Sequence, residues 1–61
     1  MRYEVIINNY QKGSKLKTTP TDYIESIEQI DRSHHRVVYN LVSDRQVQFI
    51  ERVLAKKLKR I

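Results

Sequence analysis

Apolar and polar side chains alternate along residues 2–10. Tyr3, Val5 and Ile7 fall on one face of an extended chain, and mostly charged or amide side chains fall on the other, where Ile6 is an apolar exception. Successive side chains of a strand point to opposite faces, and β-branched and aromatic residues favour strands. The pattern therefore predicts a strand.

A turn and a return strand are predicted next. Residues 11–14 include Gly13, which can adopt the positive φ of a hairpin turn. Residues 15–19 carry two lysines, as exposed edge strands often do. We therefore expect a β-hairpin at the start of the chain.

Residues 20–31 predict an acidic helix. Thr19 can cap it, Pro20 suits its first position, and Asp22 places a favourable negative charge in its first turn. Its apolar stripe has helical spacing and consists of Tyr23, Ile24, Ile27 and Ile30. Its four acidic side chains are Asp22, Glu25, Glu28 and Asp31.

Residues 34–42 fit two interpretations. Val37, Tyr39 and Leu41 alternate with their neighbours as in a strand, whereas the same stretch also permits a short helix capped by Ser33. Its β-branched and aromatic content favours the strand.

A long C-terminal helix is predicted over residues 44–60. Ser43 is followed three residues later by Gln46, which is the pattern of a capping box. The apolar seam recurs every three or four residues and consists of Val47, Ile50, Leu54, Leu58 and Ile61. At about 1.5 Å per residue this helix would span about 25 Å, so we expect it to pack on a second copy of the chain.

The predicted fold is a single α+β domain over residues 1–61, ordered β-hairpin, acidic helix, strand and long basic helix. Chains this short bury only about 60% of the surface of the unfolded chain, and without cysteine no disulfide can compensate, so a homodimer is expected. The predicted core consists of Tyr3, Val5, Ile7, Tyr23, Ile27, Ile30, Val37, Tyr39, Leu41, Val47, Ile50, Leu54 and Leu58.

Charge is unevenly distributed along the chain. The net charge is +5, yet residues 20–31 carry four carboxylates and no cation. Residues 45–61 carry six cations and one carboxylate. A basic surface favours polyanions or acidic proteins as partners.

A basic stripe with an aromatic beside it is the candidate binding site. Projected at 100° per residue, the cations of the last helix cluster within about 60° on the side away from the apolar seam. Phe49 falls next to them. The predicted site residues are Arg45, Phe49, Arg52, Lys56 and Lys59.

Three interpretations of Phe49 remain open. It can be buried against the sheet or a loop, or stay exposed in isolation, beside a solvated basic face. It can belong to a dimer contact in which the acidic helix of the other copy meets the stripe. It can also stack on the bases of a nucleic acid whose phosphates contact the cations.

Catalytic, metal and cofactor sites are not predicted. His34 and His35 are adjacent, so on a strand their rings point to opposite faces and do not converge on one metal. One glycine cannot build a phosphate-binding loop, and the serines have turn, capping or surface explanations. A chain of 61 residues hardly encloses a small-molecule pocket. We therefore expect no enzyme activity, no cofactor and no small-molecule substrate.

No signal peptide or membrane span is visible, so the predicted location is the cytoplasm, with no membrane partner. The expected function is that of a small basic binding protein. The leading hypothesis is a nucleic-acid-binding regulator that uses its C-terminal helix. The alternative is an inhibitor or adaptor, for example one encoded by a mobile element, that docks by charge on an acidic surface of a larger protein.

Overall fold

A four-stranded antiparallel sheet with one α-helix on one face makes up residues 1–8 and 21–61, the part of the chain that the computed structural model describes. The elements, in chain order, are β1 (Arg2–Asn8), a 3-10 turn (Thr21–Tyr23), β2 (Ile24–Gln29), β3 (His34–Asn40), α1 (Asp44–Leu54) and β4 (Lys59–Arg60). The strand order in the sheet is β2-β3-β1-β4. The α+β class is confirmed.

Both predicted strands whose side chains alternate lie at the centre of the sheet. β1 pairs with β3 over its whole length, with Val5 opposite Val37 and Tyr3 opposite Tyr39. Directly opposed residues share a face, so these four side chains form one apolar surface. The strand interpretation of residues 34–42 is confirmed over His34–Asn40. The predicted hairpin turn and return strand lie outside the described residues.

The core lies between this apolar surface and α1. Its buried members are Val5, Ile7, Val37, Tyr39, Leu41, Ile50 and Leu54. Tyr3, Tyr23, Ile24, Val47 and Leu58 are partly buried against it. Eleven of the thirteen predicted core residues are therefore placed correctly, and α1 presents its apolar seam to the sheet.

The predicted acidic helix is wrong. Residues Ile24–Gln29 form strand β2, which pairs antiparallel with β3. A β-bulge between Ile24 and Ser26 shifts the register, so a helical spacing of isoleucines can occur in a strand. Pairing with β3 satisfies the backbone of this segment, and this tertiary interaction overrides the local helix signals.

Two isoleucines of the predicted core are exposed, because their segment forms strand β2 and not a helix packed on the sheet. Ile27 lies opposite Val37 on the helix side of the sheet but is 40% exposed, and Ile30, just after β2, is 47% exposed. β2 is one of the two edge strands of the described sheet, and α1 leaves it uncovered there. Val38, on the other face, is 1% exposed although it is not among the predicted core residues.

The predicted long C-terminal helix is also wrong, because α1 ends at Leu54. Ala55 adopts a left-handed conformation with φ 56° and ψ 37°, which closes the helix without a glycine. The chain then reverses, and Lys59–Arg60 pairs with Tyr3 and Glu4 of β1 as strand β4.

Three hydrogen bonds hold this reversal. The Lys56 amide donates to the Glu51 carbonyl at 3.3 Å, and the Leu58 amide donates to Glu51 Oε2 at 2.9 Å. The Ile61 amide donates to the Arg2 carbonyl at 2.9 Å. A helix of this length does not outreach its own sheet, so the helix-length argument for a homodimer no longer applies.

Candidate nucleic-acid interface

The N-terminus of α1 is fixed by the predicted pair, Ser43 and Gln46. Ser43 Oγ accepts from the Gln46 amide at 3.4 Å, which satisfies one of the unpaired donors at the helix start. The Gln46 side chain reaches back, and its Oε1 accepts from the Val42 amide at 2.8 Å. This arrangement fixes the residue at which the helix begins.

Three of the predicted site residues lie together on the outward face of α1. Arg45, Phe49 and Arg52 are spaced by four and three residues, which places them on adjacent turns of one helix face. Phe49 is 44% exposed, so burial against the sheet is excluded for its side chain. The next residue, Ile50, is fully buried, and this contrast shows which face of the helix packs on the sheet.

Lys56 lies just beyond the helix and has a structural contact as well as an exposed charge. Its Nζ donates to the Ile6 carbonyl at 2.9 Å, at the edge of β1 beyond β4. It also lines an open groove of about 450 Å³ at the C-terminal end of α1. The groove residues are Gln48, Glu51, Arg52, Ala55, Lys56 and Lys57.

Lys59 does not lie with the cations on the outward face of α1, contrary to the sequence prediction. It pairs with Glu4 in the register of β4 and β1, and Glu4 faces away from α1. Because opposed residues of antiparallel strands share a face, Lys59 points to the sheet face opposite the helix. The error follows from extending the helix beyond Ala55.

The sequence prediction missed Lys57, which follows Lys56 and lines the same groove. On an uninterrupted helix it projects away from the stripe, but the reversal at Ala55 redirects the chain. The signal available in the sequence for a basic site here was the pair of adjacent lysines, Lys56 and Lys57. We define the helix surface as Arg45, Phe49, Arg52, Lys56 and Lys57.

The carboxylates of the sheet are largely matched by cations on the sheet itself. Arg36 Nε lies 2.5 Å from Glu4 Oε2 on the face away from α1, and both side chains are half-buried. Arg2 Nε lies 2.7 Å from Glu25 Oε2 and links β1 to β2 across β3. The second pair offsets one of the four negative charges of residues 20–31.

Most cations of the helix surface have no such partner. Arg45, Arg52 and Lys57 form no ion pair with any residue in 1–8 or 21–61. The sequence contains no Asp or Glu between residues 9 and 20 either. Of the carboxylates nearby, Glu51 accepts from the Leu58 amide, and Asp44 lies in the first turn of α1. The helix surface therefore carries an excess of positive charge.

A shallow apolar hollow of about 280 Å³ adjoins the helix surface. Tyr23, Arg45, Gln46 and Phe49 line it. Tyr23 comes from the 3-10 turn before β2 and is partly buried against the core, so its ring is held in place. The sequence analysis predicts Tyr23 in the core, which is confirmed, but places it on a helix and misses its position beside Phe49.

His34 pairs with a carboxylate at the β2–β3 turn. Its Nδ1 lies 2.9 Å from Asp31 Oδ1, and the Ser33 amide donates to the same oxygen at 2.7 Å. The His34 hydrogen bond, followed by that of Ser33, lowers the pKa of the Asp31 carboxyl below its ordinary value of 3.8. Across residues 1–8 and 21–61, no three His, Cys, Asp or Glu side chains converge as a metal-binding group would require.

No known protein family, curated protein or solved structure matches this chain. α1, the one α-helix among the described residues, is too short and too polar to cross a membrane. The surface chemistry of the chain is therefore the guide to its function.

Proposed function

We propose that this protein is a small nucleic-acid-binding regulator, and that the helix surface is its binding site. The observation that carries the proposal is the separation of charge within the fold. Arg2 and Arg36 pair with carboxylates on the sheet, whereas the exposed arginines beside Phe49 have no acidic partner among the described residues.

The ion pairs weaken the main objection to a polyanion partner, namely the four carboxylates of residues 20–31. Glu25 is held by Arg2 and Asp31 contacts His34, so these two repel a phosphate less than free carboxylates would. Unpaired arginines contact phosphates with several donors and release bound counterions when they do. An exposed aromatic among them supplies a face on which a base can stack.

A second candidate function rests on the same hollow. Arg and Tyr are frequent at the energetic centres of protein–protein interfaces, and Phe is enriched in such interfaces. Tyr23, Arg45 and Phe49 lie together here. An inhibitor or adaptor that docks on an acidic protein surface would use these side chains too. Excess positive charge spread along the helix and into the next loop suits a regularly charged backbone better, which favours nucleic acid.

Fluorescence anisotropy tests the proposal. Labelled single- and double-stranded DNA and RNA are titrated with the protein at several salt concentrations. We expect micromolar or tighter binding at about 150 mM salt, with log K falling linearly as log salt rises. Absence of binding to all of these nucleic acids would overturn the proposal and favour the protein-docking function.

A charge-matched pair of double variants locates the site. Arg45→Gln with Arg52→Gln removes two cations from the helix surface, and we expect the salt slope to fall by about 1.5. Arg32→Gln with Lys59→Gln removes the same charge elsewhere and should leave the slope almost unchanged. Equal losses in the two variants would contradict a site on the helix surface.

Two further sequence predictions accompany the proposal. We expect the binding unit to be a homodimer, because a chain of 61 residues without disulfides gains stability by association. Sedimentation equilibrium checks this, and a monomeric mass at micromolar concentration would contradict it. We also expect a cytoplasmic location, which imaging of a tagged chain in its native host would test.

A further inference from the structure

We infer that the hollow between Tyr23 and Phe49 takes one unpaired base of a single-stranded nucleic acid. This inference rests on the proposed function and adds the class of ligand and the contact that recognises it. The hollow is lined by two aromatic rings from different parts of the chain, one in the turn before β2 and one on α1.

The two rings differ in how they are held. Tyr23 is partly buried against the core, and its ring is therefore a fixed wall. Phe49 is 44% exposed, so its ring is available to a ligand from solvent. A planar base that enters beside Phe49 gains an aromatic contact without any rearrangement of the core.

The polar atoms at the hollow suit a base and its phosphates. Gln46 Oε1 is occupied by the Val42 amide, which leaves the amide NH2 of Gln46 as a donor for the edge of a base. Arg45 lies one turn before Phe49 and Arg52 one turn after it. Their charges can therefore contact the phosphates on either side of a base held at Phe49.

A single strand fits this site better than a duplex. The bases of a duplex are stacked on each other, so their faces are hidden from a side chain unless a base is extruded at a cost. Unpaired bases present their faces freely, and stacking on an aromatic ring tolerates any sequence. We therefore expect little sequence preference.

The experiment compares two labelled oligonucleotides of equal length and charge, one of ten thymidines and one of ten abasic residues. Wild-type protein should bind the thymidine strand about tenfold more tightly, the size of one base–aromatic stack. Phe49→Leu should abolish this preference while its affinity for the abasic strand stays at the wild-type value. Ile30→Val, at an exposed apolar position outside the hollow, should retain the preference.

The outcomes separate the two proposals. Equal wild-type affinity for the two strands would overturn the base-binding hollow and leave the polyanion surface standing. No binding to either strand would overturn the proposed function itself. A preference that persists in Phe49→Leu would place the base elsewhere and overturn this inference. Circular dichroism of each variant establishes that the fold is intact.

Discussion

Arg36 on β3 and Glu4 on β1 form a half-buried ion pair on the face of the sheet away from α1, with Nε and Oε2 2.5 Å apart. The pair joins the two central strands diagonally across their ladder. It therefore stabilises the centre of the sheet and also removes two charges from the set available to a partner.

Removing one member of this pair should destabilise the fold. Glu4→Gln leaves a half-buried guanidinium without its carboxylate, and we expect the free energy of unfolding to fall by about 1–2 kcal/mol. Urea denaturation measures this loss. Glu25→Gln breaks the more exposed pair with Arg2 and should cost less than about 1 kcal/mol. Equal losses would contradict the difference in burial.

The stability of the fold should depend strongly on one residue of α1 and weakly on the residue before it. Ile50 is fully buried in the core, so Ile50→Ala should cost about 2–5 kcal/mol of stability. Phe49 is exposed, and Phe49→Leu should change stability by less than about 0.5 kcal/mol. Thermal unfolding of both variants checks this. A large loss in Phe49→Leu would mean that the ring belongs to the core.

The end of α1 offers a stabilising substitution. Ala55 has φ 56°, a region that costs a residue with a Cβ about 1–2 kcal/mol. Ala55→Gly removes this cost but increases the entropy of the unfolded chain, so we expect a net gain of about 0.5–1 kcal/mol. Gln48→Gly, on an exposed position within the helix, should lose about 1 kcal/mol. A destabilised Ala55→Gly variant would contradict the left-handed helix end.

The Asp31–His34 contact should make stability depend on pH at acidic values. Hydrogen bonds from His34 and Ser33 lower the pKa of Asp31 in the folded chain, so the carboxylate stabilises the fold above its ordinary pKa of 3.8. That contribution is lost as the pH falls through the lowered value.

The measurement is the urea concentration at the midpoint of unfolding, compared between the wild-type protein and Asp31→Asn from neutral to acidic pH. The wild-type protein should be the more stable near neutral pH, and the difference should shrink below pH 3.8. Asp22→Asn is the control, since Asp22 has no hydrogen bond or ion pair with another described residue. A constant difference at all pH values would contradict the assigned contact.

The central strands and the outward face of α1 were predictable because their signals are local. The alternation of Tyr3, Val5 and Ile7 can be recognised from neighbouring residues alone, and so can the cap at Ser43. The helical period then places Arg45, Phe49 and Arg52 on one face. The part of the candidate site within α1 therefore follows from the sequence.

The remaining features depend on contacts between distant residues. β2 forms because β3 offers a pairing partner, and the bulge before Ser26 disguises its period as a helical one. The chain reverses after Ala55 because Glu51 and β1 accept hydrogen bonds from it, although no glycine marks the end of the helix. For these reasons Lys59 was placed on the wrong surface, and Tyr23, although correctly predicted in the core, was assigned to a helix.

The most direct test of the helix surface as a nucleic-acid site is an NMR titration of 15N-labelled protein with a ten-nucleotide thymidine strand. We predict that amide shift changes cluster at residues 45–57 and at Tyr23, and that the amides of Glu4, Arg36 and Val38, whose side chains lie on the sheet face away from α1, stay unchanged. Changes centred on those sheet residues, or no changes at all at a saturating concentration of the strand, would contradict the proposed site.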